Sequence, residues 1–293
     1  MGKVFSRTSG INIELIDKII KQALSEDKVS KDITTKLLFP EDKIVKAVII
    51  AKERGIIAGL DVVKRAFFLL DKNTKFKKLT HDGRVVKKGE KVALIVGSIK
   101  KILYGERTAL NFLMRLSGIA TMTRKFVEIV HPYKVKILDT RKTTPGIRIL
   151  EKYAVRVGGG SNHRMDLSDG VLIKDNHLKN IRYQESNIKN LIKRIRKKIP
   201  KDVDIEIEVG NIKEFKMVLQ AKPDIIMLDN MSIKEIKKAV SIRNRISKTT
   251  QLEVSGGINL KNVRTFASTG IERISIGQLT HSSPSIDFSL ELF

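Results

Sequence analysis

The chain of 293 residues contains no cysteine and no tryptophan, and it has only 11 phenylalanines, 4 tyrosines and 6 prolines. Without cysteine there are no disulfides and no thiolate metal sites, and a cytoplasmic enzyme is the simplest expectation. Few aromatics leave few platforms for base stacking. No apolar run approaches the ~20 residues that span a bilayer, and no charged segment leads into an apolar one as in a secretory signal. Met1-Gly2 followed by Ser6 fits a loose acylation pattern, which is too short to carry a conclusion. Acidic residues are also scarce: 32 Asp and Glu stand against 57 Lys and Arg, a net charge of +25. Such an excess suits either phosphate neutralisation on nucleic acid or a solvated lysine surface. The most basic run, residues 189–201 (KNLIKRIRKKIPK), spaces Leu191, Ile192, Ile195 and Ile199 along one helical stripe and carries no interleaved aromatic. It reads as an amphipathic helix with a solvated basic face. Neither a nucleic-acid partner nor a membrane is expected.

What is present is a hydrophobic content of 41%, enough for a sizeable core, in a length that suits about two domains. Residues 11–25 set Ile11, Leu15, Ile16, Ile19, Ile20, Ala23 and Leu24 on one side of a helix. A strand at 44–51, a short run at 56–58, a helix opened by Gly59-Leu60-Asp61 and two more short strands ending near Val96-Gly97 make the first part α+β in pattern. A long helix is expected over 99–116, interrupted at Ser117-Gly118 and resumed over 119–130. Beyond it strands alternate with helices. The strands are expected at 135–138, 154–157, 170–173, 205–209, 225–228, 252–254 and 274–276, and the helices include 188–199, 212–220, 233–246 and 260–268. Such alternation implies βα units and a parallel sheet. Nearly every one of these strands ends in polar residues or glycine, which favours an α/β barrel with its site at one face. A doubly wound sheet would concentrate its ligand at one switch point and usually shows a GxGxxG turn, absent here.

Residues 137–177 gather Arg141, Lys142, Arg148, Lys152, Arg156, Arg164, Lys174, His163, His177 and the triplet Gly158-Gly159-Gly160. Cations at strand ends beside a glycine turn suggest a site for a small, multiply charged anion. Arg141, Lys142, Arg164 and Lys174 are the proposed clamp, because guanidinium forks and ammonium charges match carboxylates. Arg148, Lys152 and Arg156 read as framework or surface residues. Within Asp204-Ile205-Glu206-Ile207-Glu208, alternation puts the acids on one face; Glu208 reaches the strand end, while Glu206 is expected to pair with an interior cation. Asp229 ends the next strand, and the two carboxylates suit either Mg²⁺ or a developing cation. Ser255-Gly256-Gly257 before a helix, with Gly277, resembles a phosphate cradle. His163 is read as a substrate donor, and His177 as either a ligand or a satisfied loop histidine. There is no GxSxG elbow, no Walker A loop and no adjacent-acid loop of the purine phosphoribosyltransferase kind.

Together these residues resemble the quinolinate phosphoribosyltransferase family (nicotinate-nucleotide pyrophosphorylase, carboxylating). The resemblance rests on Glu106-Arg107-Thr108-Ala109-Leu110-Asn111, Leu116-Ser117-Gly118-Ile119-Ala120-Thr121, Asp139-Thr140-Arg141-Lys142-Thr143 with Pro145-Gly146, His163-Arg164 and Ile173-Lys174-Asp175-Asn176-His177. It continues through Glu206 to Val209, Met227-Leu228-Asp229-Asn230 and Ser255-Gly256-Gly257-Ile258. Lys31 departs from the pattern, which usually has glycine before Asp32-Ile33-Thr34-Thr35, so the local turn is open.

The resemblance implies an N-terminal α/β sandwich domain (residues 1–115, with 280–293 packing back on it) and an incomplete parallel α/β, TIM-like barrel (116–279). It also implies a homodimer, with assembly beyond the dimer left open. The implied reaction converts quinolinate and phosphoribosyl pyrophosphate, with Mg²⁺, to nicotinate mononucleotide, pyrophosphate and CO₂ in NAD biosynthesis. Arg141, His163, Arg164 and Lys174 would hold the quinolinate carboxylates, with Thr140 beside them and Arg107 reaching in from the partner subunit. Lys142, Glu208 and Asp229 would be the catalytic groups facing phosphoribosyl pyrophosphate. Ser255, Gly256, Gly257 and Gly277 would bind phosphate, and Glu208 and Asp229 would be the Mg²⁺ carboxylates. Two rivals are a paralogue of the same fold associated with molybdenum transport and a basic nucleic-acid-binding protein.

Overall fold

A computed structural model of the chain describes residues 13–174, 176–177 and 185–293. The acylation pattern at Met1-Gly2, the first two residues of the expected N-terminal helix, and Asp175 of the Lys174 motif lie outside the described residues. The chain divides into two compact units, one of residues 1–124, 143–159 and 282–293, the other of 125–142 and 160–281.

The first unit is built on a four-stranded antiparallel sheet. Its strands are β1 (Ile44–Ala51), β3 (Lys75–Lys78), β5 (Lys91–Ser98) and β12 (Phe288–Leu292), in the order β12-β1-β5-β3. The C-terminal strand joins through the pairs Ala47↔Leu292 to Ala51↔Phe288, so the last residues of the chain extend a sheet begun by the first. β2 (Gly55–Ile56) and β4 (Val85–Val86) form a separate ribbon. Helix α1 (Ile13–Glu26) buries Ile16, Ile19, Ile20 and Leu24 at helical spacing and packs on α3 (Leu60–Leu70). Arg65 locks the pair by donating to both oxygens of Asp17, at 2.6 and 2.5 Å. The helix α2 (Ile33–Leu38) starts at Asp32, whose Oδ1 accepts the Thr35 N–H at 3.0 Å. Lys31 sits in a 3₁₀ turn before it, and the residue that takes the left-handed conformation there is Lys28, at φ 49°.

One expectation fails in an informative way. Helix α4 (Ile99–Val130) runs unbroken for 32 residues through Ser117-Gly118. The Ser117 hydroxyl accepts the Ala58 N–H at 3.0 Å, and a Cβ on Gly118 would overlap the carbonyl oxygen of Pro284. These small residues let neighbouring backbone approach the helix. Tertiary packing outweighs the roughly 1 kcal/mol that glycine costs inside a helix.

The second unit is a six-stranded, wholly parallel sheet. Its strands are β6 (Lys136–Leu138), β7 (Val171–Ile173), β8 (Ile205–Val209), β9 (Ile225–Asp229), β10 (Gln251–Ser255) and β11 (Arg273–Ser275), ordered β6-β11-β10-β9-β8-β7. Helices Glu185–Arg196, Ile212–Leu219, Ile233–Ile246 and Val263–Ala267 follow its strands, the arrangement of an incomplete TIM-like barrel. Ile205, Ile207, Ile226, Leu228, Leu252 and Ile274 are at most 0% exposed, each burial worth about 1.5–3 kcal/mol. The strand expected over 154–157 does not form. Those residues close helix α5 (Arg148–Val157), whose inward face holds Leu150, Ala154 and Val155. β6 meets instead a single parallel bridge, Leu138↔Ser161. Ala-Val-Arg-Val fits either period, and the preceding turn of helix decides it. Among the described residues no helix is long and apolar enough to cross a membrane.

Gly118→Ala is expected to destabilise the protein by roughly 1–3 kcal/mol, because the added methyl meets backbone that cannot move aside cheaply. Urea unfolding checks this; an unchanged midpoint would show that the close approach is not required.

Candidate active site

Parallel strands put all their carboxyl ends at one edge, and in the second unit those ends carry the chemistry. β6 delivers Asp139, which is fully buried. It accepts the His163 N–H at 2.9 Å and an Asn162 side-chain N–H, so the loop carrying His163-Arg164 is tied to the end of β6. Thr140 accepts the Lys142 N–H (3.1 Å), while the Thr280 hydroxyl donates to the Lys142 carbonyl (2.6 Å). A Cβ on Gly277 would stand 2.9 Å from Lys142 Cδ, so the absent side chain leaves room for the lysine stem.

Beneath this loop lies a buried charge cluster. His163 Nε2 is 3.0 Å from Glu206 Oε2 and 3.4 Å from Glu253 Oε1. Arg273 Nε donates to the other Glu253 oxygen at 2.7 Å. Burial disfavours the charged imidazole, but the hydrogen bonds to Glu206 and Glu253 overcome it and raise His163 to about 9. Glu206 is pushed up by burial and by the charge of Glu253. Burial also pushes Glu253 up, but His163 and Arg273 outweigh it and hold it low. The Arg164 backbone nitrogen lies 2.9 Å from Nδ1, and Nε2 is the ring nitrogen that faces the glutamates. His163 therefore keeps its proton near neutrality and faces Glu206 as a cation. Glu206 has the interior cation expected of it. His163, Glu206 and Glu253 also lie close enough to hold a metal ion; with His163 protonated, Arg273 and the imidazolium already match the two carboxylates in charge.

Around the cluster stand the cations, Arg141 and Arg164 half-buried and Lys142 and Lys174 exposed. Burial and the neighbouring Arg141 charge both lower Arg164, so the two guanidinium groups repel each other across a short gap. Two crowded, partly desolvated cations are stable chiefly with an anion between them. Lys174 Nζ lies 3.3 Å from Glu208 Oε2, joining the end of β7 to the end of β8. His177 is a satisfied loop histidine, its Nδ1 accepting the Lys174 N–H at 3.0 Å. Asp229 ends β9 and accepts from the Asn230 amide at 2.8 Å.

After β10, Gly256 (φ 95°) and Gly257 (φ 63°) turn in the left-handed region, aligning bare N–H groups as an anion-binding nest does. The helix behind them begins at Val263 and not near residue 260. An Asn259 to Asn262 turn intervenes, and the Asn262 amide donates to the Gly257 carbonyl at 3.0 Å. The cradle is therefore a glycine turn braced by asparagine, without a helix end directly on it.

In the first unit, Arg107 is exposed on α4. It lines a hollow of about 420 Å³ together with Arg115, Asn111, Thr108, Glu26 and Ile147. Arg148 Nε donates to the Thr143 hydroxyl at 3.0 Å, a framework contact. Arg156 is exposed. Lys152, read as framework or surface, is wholly buried, as is its neighbour Glu151, since both face inward from α5. Glu151 accepts from Arg115 at 2.8 Å and from the Thr144 N–H at 3.0 Å, bracing the loop after Lys142. Sequence reasoning passed over Glu151, Glu253, Arg273, Asn230 and Thr280. A charged residue inside an otherwise apolar strand, such as Glu253 in Gln-Leu-Glu-Val-Ser, was the signal available.

Residues 32–117 match the family described as quinolinate phosphoribosyl transferase, N-terminal domain, and residues 119–291 its C-terminal domain. The nicotinate-nucleotide pyrophosphorylase [carboxylating] of Mycobacterium leprae is 37% identical over 279 residues, covering 93% of this chain and 95% of that protein. The solved structure of NadC from Streptococcus pyogenes is 40% identical with a TM-score of 0.89, covering 97% of this chain and 98% of that one. The nicotinate-nucleotide pyrophosphorylase structure from Francisella tularensis is 37% identical, with the same score and coverage.

The His163 shift sets a pH dependence. Below about 6.5 folded and unfolded imidazoles are both protonated, and the stabilisation is complete. Between there and about 9 only the folded chain keeps the proton, so the stabilisation declines and is gone above that range. Unfolding free energies of wild type and His163→Gln should therefore converge as pH rises from 6.5 through 9. A constant gap would remove the protonated pair.

Proposed function

The chain belongs to the quinolinate phosphoribosyltransferase family, and from that premise we propose that it transfers a phosphoribosyl group to quinolinate with coupled decarboxylation. The products are nicotinate mononucleotide, pyrophosphate and CO₂, in NAD biosynthesis. The observation that carries this reading is the pairing of Arg141 with Arg164 above the protonated His163–Glu206 pair. It is a concentration of positive charge suited to a small dicarboxylate. Arg141, His163, Arg164 and Lys174 hold quinolinate, with Thr140 shaping the turn between. Lys142, Glu208, Asp229, Ser255, Gly256, Gly257 and Gly277 receive phosphoribosyl pyrophosphate.

The chemistry follows from the charges. The pyridine nitrogen bonds to the anomeric carbon as its bond to pyrophosphate breaks, and positive charge develops on the ribose. Glu208 and Asp229 stabilise that charge, and Lys142 and the glycine turn stabilise the departing pyrophosphate. The C2–carboxylate bond then breaks, CO₂ leaves, and C2 takes up a proton. The clamp cations stabilise negative charge on the carboxylates and ring as this happens. Glu208 and Asp229 are hard oxygen donors of the type Mg²⁺ accepts beside substrate phosphates. When bound, Mg²⁺ neutralises phosphate charge. Arg107 belongs in this scheme to the quinolinate site of a partner subunit in a homodimer.

Incubation with quinolinate, phosphoribosyl pyrophosphate and Mg²⁺ should release pyrophosphate and nicotinate mononucleotide; no product would sink the reading. Lys174→Ala should raise KM for quinolinate by roughly ten- to a hundredfold, the effect of losing one charge-assisted hydrogen bond. The KM for phosphoribosyl pyrophosphate should move far less, and equal losses would take Lys174 out of the carboxylate clamp. Arg107→Ala and Arg164→Ala proteins, each inactive alone, should regain activity when mixed, through hybrid dimers. Confirmed subunit exchange without recovery would argue against a shared site.

A further inference from the structure

Asn230 follows Asp229 at the end of β9 in the left-handed region, at φ 53°. That conformation is uncommon outside glycine, and asparagine tolerates it better than most residues. Three contacts hold it there. Its N–H donates to the Ser255 carbonyl at 3.0 Å, extending the β9–β10 ladder by one bond past Ser255↔Asp229. Its side-chain amide donates to Asp229 Oδ2 at 2.8 Å. Its side-chain oxygen occupies the place where a Cβ on Gly256 would go, and its backbone nitrogen would lie 3.1 Å from that Cβ. Gly256 is thus glycine for two reasons, its φ of 95° and the asparagine seated over it.

We propose that Asn230 is a positioning residue that fixes the Asp229 carboxylate and the Ser255-Gly256-Gly257 turn relative to each other. An acid and an anion-binding turn at adjacent strand ends make opposite electrostatic demands on one ligand. They serve it together only if their separation is fixed. This rests on the function proposed above, in which both elements receive phosphoribosyl pyrophosphate and neither touches quinolinate. The latch therefore belongs to one substrate. Removing it disturbs that substrate's binding and the geometry of pyrophosphate departure, and leaves the dicarboxylate clamp as it was.

Two measurements test this. The first needs no substrate. Gly256→Ala should lower the thermal midpoint, and it should lower it less in an Asn230→Gly background, because glycine keeps the left-handed turn and vacates the space. Equal drops in both backgrounds would overturn the latch. The second is steady-state kinetics of Asn230→Gly. KM for phosphoribosyl pyrophosphate should rise about tenfold or more, the scale of a lost hydrogen bond to a charged group. KM for quinolinate should stay within about twofold, as additivity at sites without shared partners predicts. Equal rises for both substrates, or none, would overturn the proposal. A wild-type protein with no turnover would instead sink the functional reading, and the unfolding cycle would still decide the latch.

Discussion

A buried imidazole flanked by two buried carboxylates survives only if every charge in the cluster is answered. In the second unit Arg273 answers Glu253, and the protonated His163 answers Glu206. Removing either partner would leave an uncompensated charge in a low-dielectric interior, a far larger cost than a lost surface pair. The cluster holds the His163-Arg164 backbone from below, while Asp139 holds it from the side. Upon that fixed floor Arg141 and Arg164 are kept close despite repelling each other. Their repulsion favours an anion beside them, in addition to the Glu206 and Asp169 carboxylates that Arg164 already faces.

The parallel sheet supplies the rest by geometry. Each strand contributes one or two groups at its carboxyl end, and the ladder sets their spacing: Ser255 faces Asp229 across β10 and β9, and Val209 faces Leu228 across β8 and β9. Cations come from the β6 and β7 ends, acids from β8 and β9, and the glycine turn from β10. Quinolinate and phosphoribosyl pyrophosphate are both polyanions, yet the acids stand among the cations. In the proposed reaction the acids suit the ribose, which turns positive as pyrophosphate leaves. The net charge of the whole chain, +25, has the sign that steers anions at low ionic strength.

Much of this was legible in the amino-acid sequence because it depends on local period and composition. Apolar runs of three to five residues ending in Asp, Lys, Glu, Asp and Ser determined the strands and which ends would carry chemistry. The apolar spacing within residues 11–25 determined a helix and most of its buried face, Ile16, Ile19, Ile20 and Leu24, while Leu15, expected on that face, is exposed. The cations of residues 137–177 determined an anion site. What the sequence left open was every question answered by a distant partner. Residues 154–157 fit a strand by pattern and became the last turn of α5. Ser117-Gly118 read as a break and proved to be a point of contact with Ala58 and Pro284. Lys152 read as framework or surface and lies wholly inside, beside Glu151, which the sequence did not single out. Glu253 and Arg273 gained their roles from each other and from His163, and Asn230 from the backbone at Ser255 and Gly256, all distant in sequence. Hydrophobic periodicity is written into neighbouring positions, so one strand or helix can be read by itself. Charge compensation and close backbone approach are properties of pairs, and only the tertiary structure decides which residues become a pair.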